Sequence, residues 1–377
     1  MKASSEADCH NENSALLTTG VDRFQTGKRM PFASFTHYDE RNKRKLRKLN
    51  MCTAISYKNG NSHYFGRNLD LETDYPVATV ITPRNHELKF NHMPDQPSHY
   101  AMIGTAIVVG KDPLYFEAMN EKGLGMAGLA FFGLGYYPPV TEGKDNVASF
   151  ELINFVLSQC STVAEAKKLL SNLCIDDEGY SPQLPPEKMH WIVSDENASI
   201  VIETTEFYGT KIYDNVFNVL TNPPTFDYMT WNMSYYANLT GNLVDIRFAQ
   251  DKQGLYPYSR GMGSIGLPGG VDSISRFVRA AFTLRNSRCP DEETKNVSEF
   301  FHILSNEQQV SGEDEVKPGE YEITLYSSCG NTKTGVWYHT TYYNPNVYAV
   351  EMYKEDLNGS DVIVYPFEKD LKVISEN

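Results

Sequence analysis

The alternation of hydrophobic and polar positions becomes regular only at residue 52. Residues 1–50 are polar and without periodicity, and they end in a basic run at 42–49. The segment 52–57 is short and rich in β-forming residues, and residues 62–67 have the same character. Between them, Asn59-Gly60 is a strong signal for a two-residue hairpin loop, because both residues accept a positive φ in a type I′ turn. The pattern therefore predicts a β-hairpin as the first regular element.

This hairpin brings a cysteine and an arginine together. A loop at Asn59-Gly60 places Cys52 directly opposite Arg67, and opposed residues have Cβ atoms about 4.5–5.5 Å apart. A guanidinium beside a thiol favours the thiolate. Asp70, just past the predicted end of the hairpin, is placed to reach back to a charged α-amine at residue 52. Hairpins with such pairs are common and mostly structural, so the spacing alone does not establish catalysis.

Later segments predict both helices and strands. Thr162 and Glu165 form a capping-box pattern that opens a helix to about Leu173. A strand pair is predicted at 189–195 and 198–204, and short β-rich runs fill 321–353. Residues 273–285 have a helical period, with four apolar residues on one face: Phe277, Ala280, Ala281 and Leu284. Together these segments indicate a layered α+β protein with partly segregated strands and helices.

Composition and charge narrow the functional classes. The chain has 377 residues, of which 41% are hydrophobic and 22% charged, as in an ordinary globular protein. It has no run of about 18 apolar residues, so no membrane partner is predicted. A formal net charge of −14 argues against a nucleic-acid partner. We therefore expect an ordinary soluble, cytoplasmic protein.

The charge balance changes sign at Met51. The segment 1–51 is basic, whereas the remainder is strongly acidic. Three interpretations remain open: a disordered tail, a propeptide that is cut off, or translated upstream sequence with the true start at Met51. The third is favoured, because Cys52 would then be second, and its small side chain permits methionine removal. The predicted organisation is a removed or mis-assigned, disordered extension at 1–51 and one domain at 52–377.

The cysteines and histidines do not indicate a metal site. The six cysteines are widely spaced and form no CxxC pair, so neither zinc nor a disulfide framework is predicted. They are Cys9, Cys52, Cys160, Cys174, Cys289 and Cys329. His190 and His302 lie in apolar stretches and are interpreted as core residues. Five of the cysteines are interpreted as inert thiols, which leaves the role of Cys52 to be decided.

Several motifs resemble those of the choloylglycine hydrolases, the family of bile salt hydrolases and penicillin V acylases. They follow one another in the order of that family and cover about residues 51–377. The motifs are MCT at 51–53, FGRNLD at 65–70, MNEKGL at 119–124, LTNPPTF at 220–226, GLPG at 266–269 and SRFVRAAF at 275–282. The resemblance implies a four-layer αββα sandwich of the N-terminal-nucleophile hydrolase type, with 52–377 as its catalytic domain.

The resemblance also implies roles for individual residues. Cys52 matches the nucleophile, and four residues match its supporting groups: Arg67, Asp70, Asn222 and Arg276. Arg276 is expected to organise the site by holding Asp70. Substrate-binding positions are expected at Asn120, Ala130, Phe131 and Phe226. Asn120 falls at a position where bile salt hydrolases share an Asn and penicillin V acylases often have Tyr. The resemblance at this position therefore favours bile salts as the substrate.

Two positions depart from the family pattern. Gly270 stands where an Asp is expected after Leu-Pro-Gly, and Ala130 replaces an expected Asn. Both are expected on substrate loops, so they bear on substrate preference rather than on the chemistry.

The implied reaction is hydrolysis of the amide that links a bile acid to glycine or taurine. The free α-amine of Cys52, with a reference pKa of about 7.7–8.0, acts as the base for its own thiol. Asn120 and Asn222 are candidates to stabilise charge on the carbonyl oxygen. No metal or organic cofactor is required, and the resemblance implies a homotetramer. Two alternatives remain: a penicillin V or N-acyl homoserine lactone acylase, and an unprocessed, inactive chain that only binds amphipathic ligands.

Overall fold

Two antiparallel sheets form the centre of the computed structural model, which describes residues 51–246, 248 and 254–377. What was predicted for residues 1–50, Cys9 included, lies outside the described residues. Strands and helices are numbered in chain order. The first sheet has six strands, in the spatial order β12 (Val219–Leu220), β1 (Cys52–Asn59), β2 (Ser62–Leu71), β15 (Ile323–Asn331), β16 (Val336–Thr341) and β17 (Asn344–Glu351).

The second sheet is larger and packs against the first. Its eight strands, in spatial order, are β11 (Gly209–Asp214), β10 (Ser199–Thr205), β9 (Met189–Ser194), β6 (Gly125–Ala130), β5 (Asp112–Asn120), β4 (Met102–Val109), β3 (Ala78–Thr82) and β18 (Ile363–Pro366). Two short pairs lie outside these sheets: the antiparallel pair β13 (Glu315–Lys317) and β14 (Glu320–Tyr321), and the parallel pair β7 (Asp145–Ala148) and β8 (Leu173–Asp176).

Helices cover the outer faces of both sheets. They are α1 (Leu152–Leu157), α2 (Val163–Leu169), α3 (Phe226–Asn232), α4 (Ser273–Asn286) and α5 (Glu293–Ser305). Apolar side chains of α4 and α5 share a core with the first sheet, and those of α1 and α2 share one with the second. This order of layers confirms the predicted αββα sandwich. No helix in the described ranges has the length and apolar character needed to cross a membrane.

The hairpin turn differs from the predicted one. Asn59 pairs with Ser62, so the two loop residues are Gly60 and Asn61. Of these two only Gly60 has a positive φ, of 57°. A glycine at the first central position is what a type II′ turn requires. The predicted type I′ turn at 59–60 is therefore wrong by one residue.

The changed turn moves the strand register by two residues. Cys52 pairs with Leu69, and Arg67 pairs with Ala54 rather than with Cys52. Because side chains alternate with a period of two, Cys52 and Arg67 still lie on one face, as diagonal neighbours. Asp70 lies within β2 rather than beyond the hairpin. The predicted proximity of these side chains survives, although the predicted direct opposition does not.

Most other predicted elements are present. The Thr162 hydroxyl accepts the N–H of Glu165 at 3.2 Å and caps α2, although α2 ends at Leu169 and a 3₁₀ turn completes the predicted helix. The predicted strand pair is β9 and β10, and the predicted helix at 273–285 is α4. Asp272 caps α4. His302, interpreted as a core residue, is instead exposed near the end of α5.

Candidate active site

Cys52 is the first residue of β1 and lies almost completely buried, with 2% of its surface exposed. Its nitrogen, here in a peptide bond with Met51, donates to Asn222 Oδ1 at 2.8 Å. Burial raises the pKa of the thiol to about 11, although the charge of Arg67 opposes this shift. In the chain that carries residue 51, the thiol is therefore protonated at neutral pH.

The positive charge of Arg67 lowers the pKa of this thiol against the effect of burial. Arg67 is fully buried on β2, where Nη1 donates to the carbonyl oxygen of Gly128 and Nε donates to that of Asn68. Glu117 of the second sheet lies 3.8 Å from Arg67 Nε. Burial raises the pKa of Glu117 to about 7, against the effect of Arg67. Arg67 is thus shared between a carboxyl group and the thiol.

Arg276 connects the start of β1 to the Asn222 loop. It is fully buried on α4, and its Nη1 donates to the carbonyl oxygen of Cys52 and to Thr53 Oγ1, the latter at 2.7 Å. Its Nη2 donates to Asn222 Oδ1 at 2.8 Å. The hydrogen bonds of Arg276 thus fix Cys52 and Asn222. None of the hydrogen bonds of Arg276 goes to Asp70, but its positive charge lowers the pKa of that carboxyl group against the effect of burial.

Two buried carboxyl groups flank the Met51–Cys52 peptide. Asp70 Oδ1 accepts the Thr324 hydroxyl at 2.6 Å, and Glu322 Oε1 accepts the N–H of Met51. The other oxygen of each group, Oδ2 and Oε2, is buried without a hydrogen-bond partner among the described residues. Burial raises the pKa of Asp70 to about 6 and that of Glu322 to about 9. A buried carboxyl oxygen without a donor is costly, and a nearby cation would relieve that cost.

The hydrogen bonds of Asn120 go to the turn after β5 and to the end of α1. Its Nδ2 donates to the carbonyl oxygens of Leu157 and Cys160, both at 2.7 Å. Its Oδ1 accepts the N–H groups of Lys122 and Leu124 at 3.0 and 3.1 Å, and its own N–H donates to Leu124. Every donor of Asn120 is therefore engaged in fixing the turn after β5 and the end of α1. To stabilise the carbonyl oxygen of a substrate, Asn120 would have to give up one of these hydrogen bonds, and this role stays a prediction.

The other predicted substrate-binding residues surround the Asn222 loop. Ala130 ends β6, and its carbonyl oxygen accepts Asn222 Nδ2 at 3.0 Å. Phe131 and Phe226 are packed in the interior, with 0% and 1% of their surfaces exposed. Gly270, the second departure from the family pattern, is exposed and accepts a hydrogen bond from Arg279 at 2.6 Å. Substrate contact by these residues stays a prediction.

Sequence reasoning missed Glu117 and Glu322. Glu117 stands between Phe116 and Ala118 in the mostly apolar strand β5, which is a signal for a buried acid that could have been used. Glu322 precedes β15 in a polar stretch and carries no such signal. No group of His, Cys, Asp and Glu side chains among the described residues could hold a metal ion.

We expect alkylation of Cys52 by iodoacetamide to accelerate with pH in the chain that retains residue 51. The thiolate reacts and the thiol does not, so below a pKa of about 11 the rate should rise about tenfold per pH unit from pH 7 to 10. Peptide mass spectrometry resolves the sites. Cys160, whose pKa burial raises to about 12, serves as the internal control and should react more slowly. A rate at Cys52 that is already constant from pH 7 would contradict a protonated thiol.

Comparison with known proteins places this site among amide hydrolases. The sequence profile of the linear amide C–N hydrolases, choloylglycine hydrolase family, matches residues 52–365. A protein named bile salt hydrolase/transferase from Lactiplantibacillus plantarum is 44% identical over 327 residues, which cover 87% of this chain and 100% of that protein. The profile match begins at Cys52, and this is the residue around which the buried polar groups converge.

Solved structures give the same picture. The crystal structure of a variant of conjugated bile acid hydrolase from Clostridium perfringens superposes with a TM-score of 0.80 at 33% identity, covering 86% of this chain and 100% of that one. Penicillin V acylase from Agrobacterium tumefaciens superposes with a TM-score of 0.66 at 21% identity, covering 82% and 90%. The second likeness, at its low identity, concerns the fold alone.

Proposed function

Because the chain belongs to the choloylglycine hydrolase family of linear amide C–N hydrolases, we propose that it hydrolyses the amide bond of glycine- or taurine-conjugated bile acids. The observation that carries this proposal is the fixing of Cys52 on both sides. Asn222 holds its nitrogen, and Arg276 holds its carbonyl oxygen. A residue held in this way presents its nitrogen and its sulfur together to a substrate carbonyl.

The chemistry requires residue 51 and everything before it to be absent. A peptide nitrogen is not a base, whereas a free α-amine with a pKa of about 7.7–8.0 accepts the thiol proton near neutral pH. Two unpartnered oxygens, Asp70 Oδ2 and Glu322 Oε2, support this requirement. An α-ammonium at Cys52 would bring positive charge and N–H donors to these two acids.

The reaction then follows from the groups at hand. The α-amine takes the proton of the thiol, and Arg67 stabilises the thiolate that attacks the amide carbonyl carbon. Asn222 is a candidate to donate to the carbonyl oxygen, because its side chain lies beside the nitrogen of Cys52. The protonated α-amine gives its proton to the leaving amino acid, and water hydrolyses the thioester. An amine that replaces water would give the transfer reaction named for the Lactiplantibacillus relative.

The remaining expectations are part of this proposal. A homotetramer is expected from the resemblance, and large exposed rings on and after α3, Trp231 and Tyr235, offer apolar surface for an interface. The cytoplasm is the expected compartment, in keeping with the five described cysteines, which are all free thiols. Penicillin V and N-acyl homoserine lactones stay as alternative substrates of the same chemistry, and an unprocessed chain that only binds amphipathic ligands stays as the alternative of another class.

We expect protein trimmed to begin at Cys52 to hydrolyse glycocholate or taurocholate at least tenfold faster than penicillin V or an N-acyl homoserine lactone. Released amino acid and released acyl acid are measured side by side at equal enzyme concentration. N-terminal sequencing of each preparation establishes whether residues 1–51 are gone. Faster turnover of penicillin V would replace the substrate assignment and keep the chemistry. Absence of any turnover by trimmed protein would favour the ligand-binding alternative.

A further inference from the structure

A buried histidine–carboxylate pair lies beneath the segment that carries Asn222. His190 on β9 and Glu203 on β10 are each 1% exposed, and His190 Nδ1 lies 3.1 Å from Glu203 Oε1. His190 Nε2 lies 2.8 Å from the carbonyl oxygen of Thr221. Both oxygens of Glu203 accept the N–H of Phe226, at 3.0 and 3.1 Å. The pair therefore holds the segment 221–226 at both of its ends.

The hydrogen-bond partners of His190 determine which of its ring nitrogens donate a proton. A carbonyl oxygen only accepts, so Nε2 must carry a proton and donate to Thr221. The atom opposite Nδ1 is a carboxyl oxygen of Glu203, so one further proton lies between the two side chains. The pair thus holds two protons, one on Nε2 and one between Nδ1 and the Glu203 carboxyl group. These positions are assigned from the hydrogen-bond partners.

The segment held by this pair is coupled to the candidate active site. Asn222 Oδ1 accepts the N–H of Cys52, and Asn222 Nδ2 donates to Ala130. The ring of Phe131 stacks on His190 with the ring centroids 4.4 Å apart and the planes at 14°. On the opposite side, Ser273 of α4 exchanges hydrogen bonds with the main chain of Asn222, at 2.8 and 2.9 Å. Hydrogen bonds from the second sheet and from α4 thus hold the segment 221–226 on two sides.

We propose that His190 and Glu203 are positioning residues that set the distance between Asn222 and the nitrogen of Cys52. The proposal rests on the proposed function only in giving Asn222 a role beside the nucleophile. Neither residue touches Cys52, and both act through the segment 221–226. A displacement of about 1 Å at a reacting group costs up to about 100-fold in rate. Loss of the hydrogen bonds from His190 and Glu203 should therefore lower the rate measurably.

Two substitutions of His190 separate its two hydrogen bonds. In His190→Gln the amide nitrogen takes the place of Nε2 and keeps the bond to Thr221. In His190→Asn the shorter amide reaches only the place of Nδ1 and keeps the contact with Glu203. We expect trimmed H190N to lose about 10- to 100-fold in kcat/KM for glycocholate, mostly in kcat. H190Q should stay within about fivefold of the unsubstituted protein, as rescue by the variant that keeps the Thr221 bond.

His63 offers a matched control. It is 3% exposed on β2, and its nitrogens lie 2.9 and 3.0 Å from the hydroxyls of Ser56 and Thr332, away from the segment 221–226. H63Q and H63N should differ little from each other in kcat/KM. Equal losses in H190Q and H190N, or a loss in the His63 pair that matches that of H190N, would overturn the proposal.

Glu203 gives a second, independent pair should the His190 variants fail to fold. In Glu203→Gln the amide oxygen accepts the N–H of Phe226 and the amide nitrogen donates to Nδ1, so a neutral His190 still donates to Thr221. We expect E203Q to keep kcat/KM within about fivefold and Glu203→Ala to lose at least tenfold. A loss in E203Q as large as that in E203A would contradict the proposal.

The rate of Cys52 alkylation tests the positioning role separately from the proposed function. If the unsubstituted, trimmed protein does not hydrolyse glycocholate, the proposed function fails. Alkylation of Cys52 by iodoacetamide at pH 7 still reports whether Asn222 holds the nitrogen that deprotonates the thiol. Slower alkylation in H190N than in H190Q supports the positioning role in that case, and equal rates overturn it.

Discussion

Exposure of the α-amine of Cys52 should convert an inactive chain into an active one within a single sample. We place a factor Xa site directly before Cys52 in the full chain and measure glycocholate hydrolysis before and after cleavage. The expected rise is about 10²- to 10⁴-fold, the usual contribution of a positioned base. Before cleavage the nitrogen is an amide and the thiol, with its pKa near 11, is protonated at neutral pH.

A single inserted residue provides the control for this experiment. When one glycine separates the cleavage site from Cys52, cleavage removes the same upstream segment but leaves an amide on the nitrogen of Cys52. This version should stay inactive after cleavage. Intact mass shows the state of each sample. Hydrolysis by the uncleaved protein at the rate of the cleaved one would remove the α-amine from the mechanism.

Replacement of the thiol by a hydroxyl should abolish turnover almost completely. In trimmed Cys52→Ser, the hydroxyl is a far weaker acid than the thiol, so the same α-amine generates much less of the nucleophile. We therefore expect kcat/KM to fall by about 10⁴- to 10⁶-fold, as for loss of a nucleophile elsewhere. Serine fits the same buried space, so the melting temperature should change little. The measurement is glycocholate hydrolysis with the unsubstituted trimmed protein alongside.

Two further variants bracket this result. Cys52→Ala sets the background rate without a nucleophile. Cys160→Ser replaces another buried thiol, which belongs to the core shared by α1, α2 and the second sheet, and should keep the full rate. Retention of activity in C52S, or an equal loss in C160S, would show that Cys52 is not the nucleophile.

The hairpin shows how far local sequence specifies a structure. The residues 59–61 read Asn-Gly-Asn, so a two-residue turn has two adjacent settings. Contacts with distant residues select one of them: the N–H of Asn61 donates to Asp291 Oδ2 at 3.2 Å, and Asn59 Nδ2 donates to Asn296 Oδ1 at 2.7 Å. Both acceptors belong to α5 or the segment before it. Turn preference alone could not choose between settings that only a distant helix distinguishes.

Asn120 shows a different limit. Its motif made it a candidate for substrate binding, but its function depends on which groups surround it. Two carbonyl oxygens at the end of α1 occupy its Nδ2. These acceptors lie 37 and 40 residues away in sequence, and no local pattern reports them.

The sequence by itself determined the family and the layered fold, and it selected Cys52, Arg67, Asn222 and Arg276 as candidate site residues, because motif order and hydrophobic period are properties of the chain. The tertiary structure alone decided the strand register, the partners of Arg276 and the burial of Glu322 beside Asp70. The physical reason is that hydrogen bonding and desolvation depend on neighbours from distant parts of the chain. Those neighbours meet only when the two sheets and their helices close around the site.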